Sequence, residues 1–265
     1  MPGRRVIVHA GFHKTGTTSA QKFLFANRKD IWPRCALVLP AKLRGDAGLQ
    51  AVRYSRFRTD ALLDSFSSGL RSMLSQIDPG RRKILISEES LSGRMPGRDG
   101  QLDYSATPTL MARAEDVICD IFGAEAEVIF CFTTREPQSW LNSTYKHNLR
   151  KSRLTMDKEE YTETFGPASD LVGVTKAVEN AVTGIVCTAD LSDLTGQEGP
   201  AQPLMDLMGL SERRRSNLIA HVTHNIGPND AMIDELLALN RSNLSEEALT
   251  VAKKDLLGKA TNHDG

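Results

Sequence analysis

Apolar residues in this chain gather into short runs set off by turn formers. Val6-Ile7-Val8 lies inside Arg5 to Ala10, and Ile84-Leu85-Ile86 lies inside Lys83 to Ser87, just after the turn signal Asp78-Pro79-Gly80. Two further runs occupy Val128 to Thr133 and Gly184 to Thr188. Short unbroken runs of this kind, bounded by Gly, Pro or Asp, predict strands. Ser19 to Asn27 has helical spacing, with Ala20, Phe23 and Leu24 on one side, and Ser139 to Arg153 also reads as a helix. At the C-terminal end, Asn229–Asn240 and Ser245–Leu257 are amphipathic; Ser245 suits an N-cap, with Glu246 and Glu247 in the first turn. Residues 92–108 and 196–203, rich in Gly and Pro, read as loops. Strands separated by helical stretches predict an α/β fold with a mainly parallel central sheet flanked by helices. With no internal repeat, low-complexity tract or linker, the expectation is a single domain over residues 1–265. Sites in such sheets form at the carboxyl ends of strands. Three segments follow predicted strands and are placed to converge there: the Gly11–Thr18 loop, Ser87–Glu89 and Thr134–Arg135.

Charge changes this picture little. Lys and Arg number 33, as do Asp and Glu, so no net positive field exists to coat nucleic acid. Residues 1–60 nevertheless hold 12 basic against three acidic residues, leaving the remainder at −9. A solvated basic surface is the plainer reading of that excess, and an anionic ligand near the N-terminal part is the other. The cysteines Cys35, Cys119, Cys131 and Cys187 form no C-x-x-C pair, which argues against a zinc or redox motif. Cys119, Cys131 and Cys187 sit among apolar residues and read as small core side chains. Reduced thiols, no secretory signal pattern and no apolar stretch of membrane-spanning length together predict a cytoplasmic protein without a transmembrane segment.

The sharpest chemical signal is Gly11-Phe12-His13-Lys14-Thr15-Gly16-Thr17-Thr18. A loop between a buried strand and a helix aims backbone N–H groups and the positive end of the helix at one point, where phosphate binds well. Gly16 lets the backbone approach a ligand, Lys14 adds a mobile charge, and Thr15, Thr17 and Thr18 supply hydroxyl donors. The spacing is not that of a Walker A loop, because the lysine precedes the second glycine, and Val128–Thr133 runs into Thr-Arg rather than a magnesium-binding aspartate. A strand-to-helix turn with incidental lysine and threonine is the plainer alternative.

The segment Val8 to Ser19 resembles the 5′-phosphosulfate loop of sulfotransferases that use 3′-phosphoadenosine 5′-phosphosulfate (PAPS), with the K-[ST]-G-T-[TS] core standing as Lys14 to Thr18. Phe130 to Pro137 with Ser143 is similar to that family's second signature, a strand ending in an arginine with a serine eight residues on. The likeness is best over residues 5–25 and 83–150, with weaker echoes at Asp190-Leu191 and at Asn240-Arg241-Ser242, and is nearer to bacterial and carbohydrate-type members. It implies a P-loop-like sulfotransferase architecture, PAPS as co-substrate, no metal, and sulfuryl transfer to a hydroxyl (less readily an amine) of a small-molecule, glycan or lipid acceptor. It further implies that Lys14 to Thr18 hold the phosphosulfate and that Arg135 and Ser143 hold the 3′-phosphate. From the residues alone, Ser143 falls two turns into a helix and need not face Arg135; an Arg135–Glu136 surface pair with a solvent-facing Ser143 is the other arrangement.

A transferase of this kind needs a base. Glu89, at the end of the Lys83–Ser87 run, aligns best with a carboxylate of bacterial relatives. Strand alternation would point Glu88 and Glu89 to opposite faces, and His13 is a rival base whose ordinary pKa lies near neutrality. The run Lys146, His147, Arg150, Lys151 and Arg153 reads first as a solvated helix face, and second as help for the 3′-phosphate or an anionic acceptor. Arg44, Arg53, Arg56 and Arg58, within residues 40–75, are candidates to line an acceptor pocket built from variable loops, as are residues 92–108. His221 and His224 lack a neighbouring carboxylate or cysteine and make a weak metal pair. Trp32 and Trp140 read as core or rim. Two other functions fit the loop: a nucleotide kinase of unusual P-loop form, which would need ATP and magnesium, and a nucleotide-binding protein without transferase activity.

Overall fold

The computed structural model describes residues 3–43, 45–221 and 230–261. Five strands, β1 (Arg5–His9), β2 (Cys35–Val38), β3 (Lys83–Ser87), β4 (Glu127–Thr134) and β5 (Ile185–Asp190), form one all-parallel sheet in the order β2-β3-β1-β4-β5. Helices cover both faces. The α/β architecture is therefore the one expected, and each of the four predicted runs is a strand. β2 is the addition: it is four residues long and all four are buried.

The alternation of side chains along β1 builds two cores. Val6 and Val8 join Ile84, Ile86, Val128 and Phe130 against the helices Ala47–Phe57, Asp60–Ser75, Thr107–Phe122 and Pro137–Lys151. Ile7, Leu37, Leu85 and Cys131 face the other way, against Ala20, Phe23 and Leu24 of the Thr17–Ala26 helix and Leu204, Met205 and Met208. Each fully buried aliphatic contributes about 1.5–3 kcal/mol, so the unbroken apolar runs are what a sheet covered on both faces demands.

Several expectations need correction. Cys35 is wholly buried in β2, whereas Cys119 and Cys187 are only half-buried, because Cys187 lies on the edge strand β5 and Cys119 near a helix end. Residues 47–57 and 60–75 are helices rather than loop, since Ala47, Ala51, Leu63, Phe66 and Leu70 form an apolar stripe that packs in the first core. The C-terminal helices are Asp230–Arg241 and Glu246–Thr261, and Ser245 does accept the Ala248 N–H at 3.2 Å. They are tied to the body by Asn240, whose Nδ2 donates to the Leu149 and Leu154 carbonyls (3.2 and 2.8 Å), and by Lys253, whose Nζ donates to those of Leu149 and Ser152 (2.7 and 2.8 Å). The echo at Asn240 is thus structural. Among the described residues no helix is long and apolar enough to cross a membrane.

The chain leaves β1 for the far strand β2, returns to β3, then crosses β1 to β4 and β5. The strand order reverses at β1, and a crevice opens there at the carboxyl ends. His9 and Ser87, the last residues of β1 and β3, stand level, and β4 runs three residues beyond Cys131 beside them, so the segments leaving all three strands lie along the same edge of the sheet.

Candidate functional site

The loop leaving β1 is shaped by two left-handed residues, Lys14 (φ 68°) and Gly16 (φ 92°). Gly16 is required twice over: its φ disfavours a side chain, and a Cβ there would sit 2.8 Å from Leu191 Cδ1 and 2.9 Å from Pro200 Cβ. Thr15 Oγ1 donates to the Phe12 carbonyl at 2.7 Å and Thr17 Oγ1 reaches the same oxygen at 3.4 Å. Trp140 Nε1 donates to the His13 carbonyl (3.0 Å), the His13 N–H donates to Tyr104 Oη (3.2 Å), and Arg135 Nη1 donates to the Lys14 carbonyl (3.0 Å). Of the three hydroxyls expected to face a ligand, those of Thr15 and Thr17 instead brace the loop and are buried, while Thr18 is exposed. The helix that follows, Thr17–Ala26, has no side-chain cap, so its first N–H groups remain available as anion donors.

From β4 the chain turns through Arg135 into the Pro137–Lys151 helix. Glu136 caps it, its carboxylate accepting the Gln138 and Ser139 N–H groups at 2.8 and 2.6 Å, and Pro137 pre-sets its first turn. Arg135 therefore stands outside the helix, and its Nε donates to Ser139 Oγ at 2.9 Å. Ser139, Ser143, Lys146 or His147, and Arg150 recur at helical spacing, and all of them line one cavity together with Arg135. Arg135 and Ser143 thus share a wall, because the helix starts at Pro137. Glu136 is engaged with the helix N-terminus rather than with Arg135.

The same cavity, about 1130 Å³, is lined by His13, Lys14, Gly16, Thr17 and Thr18, and by Glu88 and Glu89 beyond β3. Thr15 is the one member of the predicted loop core that does not reach it. Alternation fails to separate the two carboxylates, because β3 ends at Ser87 and Glu89 opens a short 3-10 turn. Glu88 is fully buried and accepts from Ser90 N (3.1 Å) and Ser90 Oγ (2.7 Å), whereas Glu89 is half-buried. His13 Nδ1 lies 3.0 Å from Tyr104 Oη.

Among the described residues, seven cations line the cavity: Lys14, Arg94, Arg98, Arg135, Lys146, Arg150 and Lys151. The basic run on the helix lines the cavity over Lys146–Lys151, with Lys151 also exposed to solvent; Arg153 turns away, to Glu246 and the Ser242 carbonyl. Burial lowers the Lys14 pKa, Arg150 and Arg135 lower it further, and Glu89 opposes them. His147 is pushed down to about 3 by burial and then by Lys14, Arg150, Arg98 and His13, so it is neutral near pH 7. Buried Arg150 Nε, Arg94 Nε and Asn142 Oδ1 have no hydrogen-bond partner. A cationic wall with unsatisfied buried donors fits a polyanionic ligand.

Of the arginines expected at an acceptor pocket, Arg53, Arg56 and Arg58 do not line this cavity. Arg53 reaches only Gln50 (3.5 Å), Arg56 stacks on Phe57 and Arg58 bonds Ser105, while Arg44 lies outside the described residues. Arg94 and Arg98, within the expected 92–108 loop, do line the cavity, and they carried no separate sequence signal. Ser139 and Asn142 were also missed, although their spacing from Ser143 and Lys146 on a helix would have pointed to both. Leu191, next to the Asp190 echo, lines the cavity, as does His221; His224 lies outside the described residues. Trp140 is fully buried, whereas Trp32 is exposed under Arg82 at the amino ends of the strands, away from the cavity. Among the described residues no group of three or more His, Cys, Asp or Glu is placed to hold a metal.

No protein-family model matches the chain, and no curated protein matches it. Among solved structures it is similar to a sulfotransferase from Alicyclobacillus acidocaldarius, with 16% identity over 89% of this chain and 92% of that one and a TM-score of 0.46.

Proposed function

We propose that this chain is a sulfotransferase that moves the sulfuryl group of PAPS to an acceptor hydroxyl. One observation carries the reading: Arg135 donates to the carbonyl of Lys14, 121 positions away, beside the uncapped N-terminus of the Thr17–Ala26 helix. Two anion-binding loops thereby share one cavity, as a nucleotide with phosphates at both ends of its ribose requires. In this reading the loop N–H groups, Thr18 and Lys14 hold the phosphosulfate. Arg135, with its planar fork, and Ser143 hold the 3′-phosphate, and Ser139 fixes the guanidinium.

PAPS supplies the sulfuryl group. An S–O bond forms to the acceptor oxygen as the bond to the 5′-phosphate breaks, and the leaving phosphate keeps the electron pair. Lys14 balances the charge that develops on that phosphate. Glu89 accepts the acceptor proton; it is near enough to Lys14 to oppose the lowering of the lysine pKa. Glu88, engaged by Ser90, holds the turn that presents Glu89. His13, whose ring lies against Tyr104, is the second candidate base.

The test is transfer of radiolabel from PAPS to a panel of hydroxylated acceptors in the presence of EDTA. Label transfer that survives EDTA and falls by about 100-fold or more in Lys14→Ala supports the reading. Phosphoryl transfer from ATP that requires magnesium, with no label transfer, would establish the kinase instead.

A further inference from the structure

The cations of the cavity exceed what the nucleotide uses. Lys14 and Arg135 serve the two strand-end loops, yet Arg94, Arg98 and Arg150 line the same space. Arg94 and Arg98 arrive on the segment that follows Glu89, which is the β3 side, away from the Leu191 and Pro200 side that closes on Gly16. That segment is built rather than loose. Ser92 Oγ donates to the Ala10 carbonyl, Thr107 Oγ1 donates to the Ser92 carbonyl (2.9 Å), and the Arg94 N–H donates to Ser55 Oγ (2.9 Å). Asn148 Nδ2 donates to the Pro96 carbonyl at 3.1 Å, and Gly97 (φ 84°) packs so closely on Asn148 that a Cβ would overlap it. Arg98 is thereby clamped to the helix that carries His147 and Arg150. Arg94 pairs with Asp99, but its buried Nε has no hydrogen-bond partner, nor has that of Arg150. Among the described residues no carboxylate pairs with Arg98 or Arg150. His147 lines the same cavity, and both Lys14 and Arg98 lower its pKa.

We propose that the acceptor carries an oxyanion, a phosphate, sulfate or carboxylate, bound by Arg94, Arg98 and Arg150 beside the hydroxyl that Glu89 deprotonates. This rests on the sulfuryl-transfer reading. Fixed guanidinium groups recognise such an oxyanion by paired hydrogen bonds and are costly to leave unmatched in a buried wall. The hydrophobic Leu49, Val52 and Met95 on the same side would hold the uncharged body of the acceptor.

The experiment separates this inference from its premise. Calorimetry with 3′-phosphoadenosine 5′-phosphate (PAP) alone reports on the nucleotide site. The PAP-saturated protein is then titrated with pyrophosphate and, separately, with malonate, which distinguish a tetrahedral oxyanion from a carboxylate. Binding of either probe at one site per chain, weakened about tenfold or more in Arg94→Gln/Arg98→Gln while PAP affinity changes less than about threefold, supports the proposal. Unchanged PAP affinity also shows that the variant folds. If PAP binds but neither probe does, or if the double variant binds the probe as well as the wild type, the proposal is overturned. If PAP itself does not bind, the sulfotransferase reading falls first.

Discussion

At the scale of single residues, Gly16 and Lys14 make opposite demands. Gly16→Ala places a Cβ within 2.9 Å of both Leu191 and Pro200 at a φ of 92°. The expected cost is about 1–3 kcal/mol of stability, read from urea unfolding, together with weaker nucleotide binding because the loop must shift. Lys14→Ala should leave the fold intact, since the loop is held through backbone carbonyls of Phe12, His13 and Lys14 rather than by the lysine amine. Its PAP affinity should fall by less than about tenfold while turnover falls about 100-fold. Equal losses in both would mean that Lys14 only binds. Loop residues with this chemistry were legible from sequence because glycine, lysine and threonine at fixed offsets mean something on their own. Arg94 and Arg98 were not legible. Their role depends on Gly97 packing against Asn148, 51 positions along the chain, which no local pattern records.

At the scale of elements, the Pro137–Lys151 helix organises the site. Its start is written in Arg135-Glu136-Pro137, and that start decides which side chains share a face. The helix was readable in sequence but its first residue was not, so Arg135 and Ser143 could not be paired by geometry. Glu136→Ala removes the acceptor for the Gln138 and Ser139 N–H groups and should cost about 1 kcal/mol in stability, with PAP binding weakened as Ser139 and Arg135 lose their fixed positions. A stability loss with unchanged PAP affinity would show that the cap does not position the arginine. Strands β1, β3 and β4 were plain because each is an apolar run with a turn signal beside it. β2 escaped because four residues wedged between Trp32-Pro33 and Pro40 are too few to show a period. The helices at 47–57 and 60–75 escaped because their outward faces are rich in Arg, Ser and Asp, and the stripe that packs in the core is apparent only once the partner sheet is known.

At the scale of the whole molecule, the charge balance is redistributed by folding. Residues 1–60 hold an excess of nine positive charges, yet among the described residues Lys14 is their one cation on the cavity wall; six others come from the remainder, which is acidic overall. Position, not composition, makes the field. The fold also holds histidines neutral. His9 is fully buried, with Nδ1 2.8 Å from Ser87 Oγ, and its pKa is pushed down to about 4 by burial. The unfolded chain therefore binds more protons than the folded one below about pH 6.5, so stability is full above that pH and is lost as pH falls toward about 4. His9 alone should account for about 3 kcal/mol of that loss at most, and His9→Asn should flatten the pH dependence of urea unfolding over this window.

The central claim is that two strand-end loops hold the two phosphate-bearing ends of one nucleotide. Calorimetry comparing PAP with AMP, which differ only in the 3′-phosphate, tests it most directly. PAP should bind about 100-fold or more tightly than AMP, and Arg135→Ala should abolish most of that difference, with AMP affinity falling far less than PAP affinity as the loop loses its bond to the Lys14 carbonyl. Equal affinity of the wild-type protein for the two nucleotides would contradict the account.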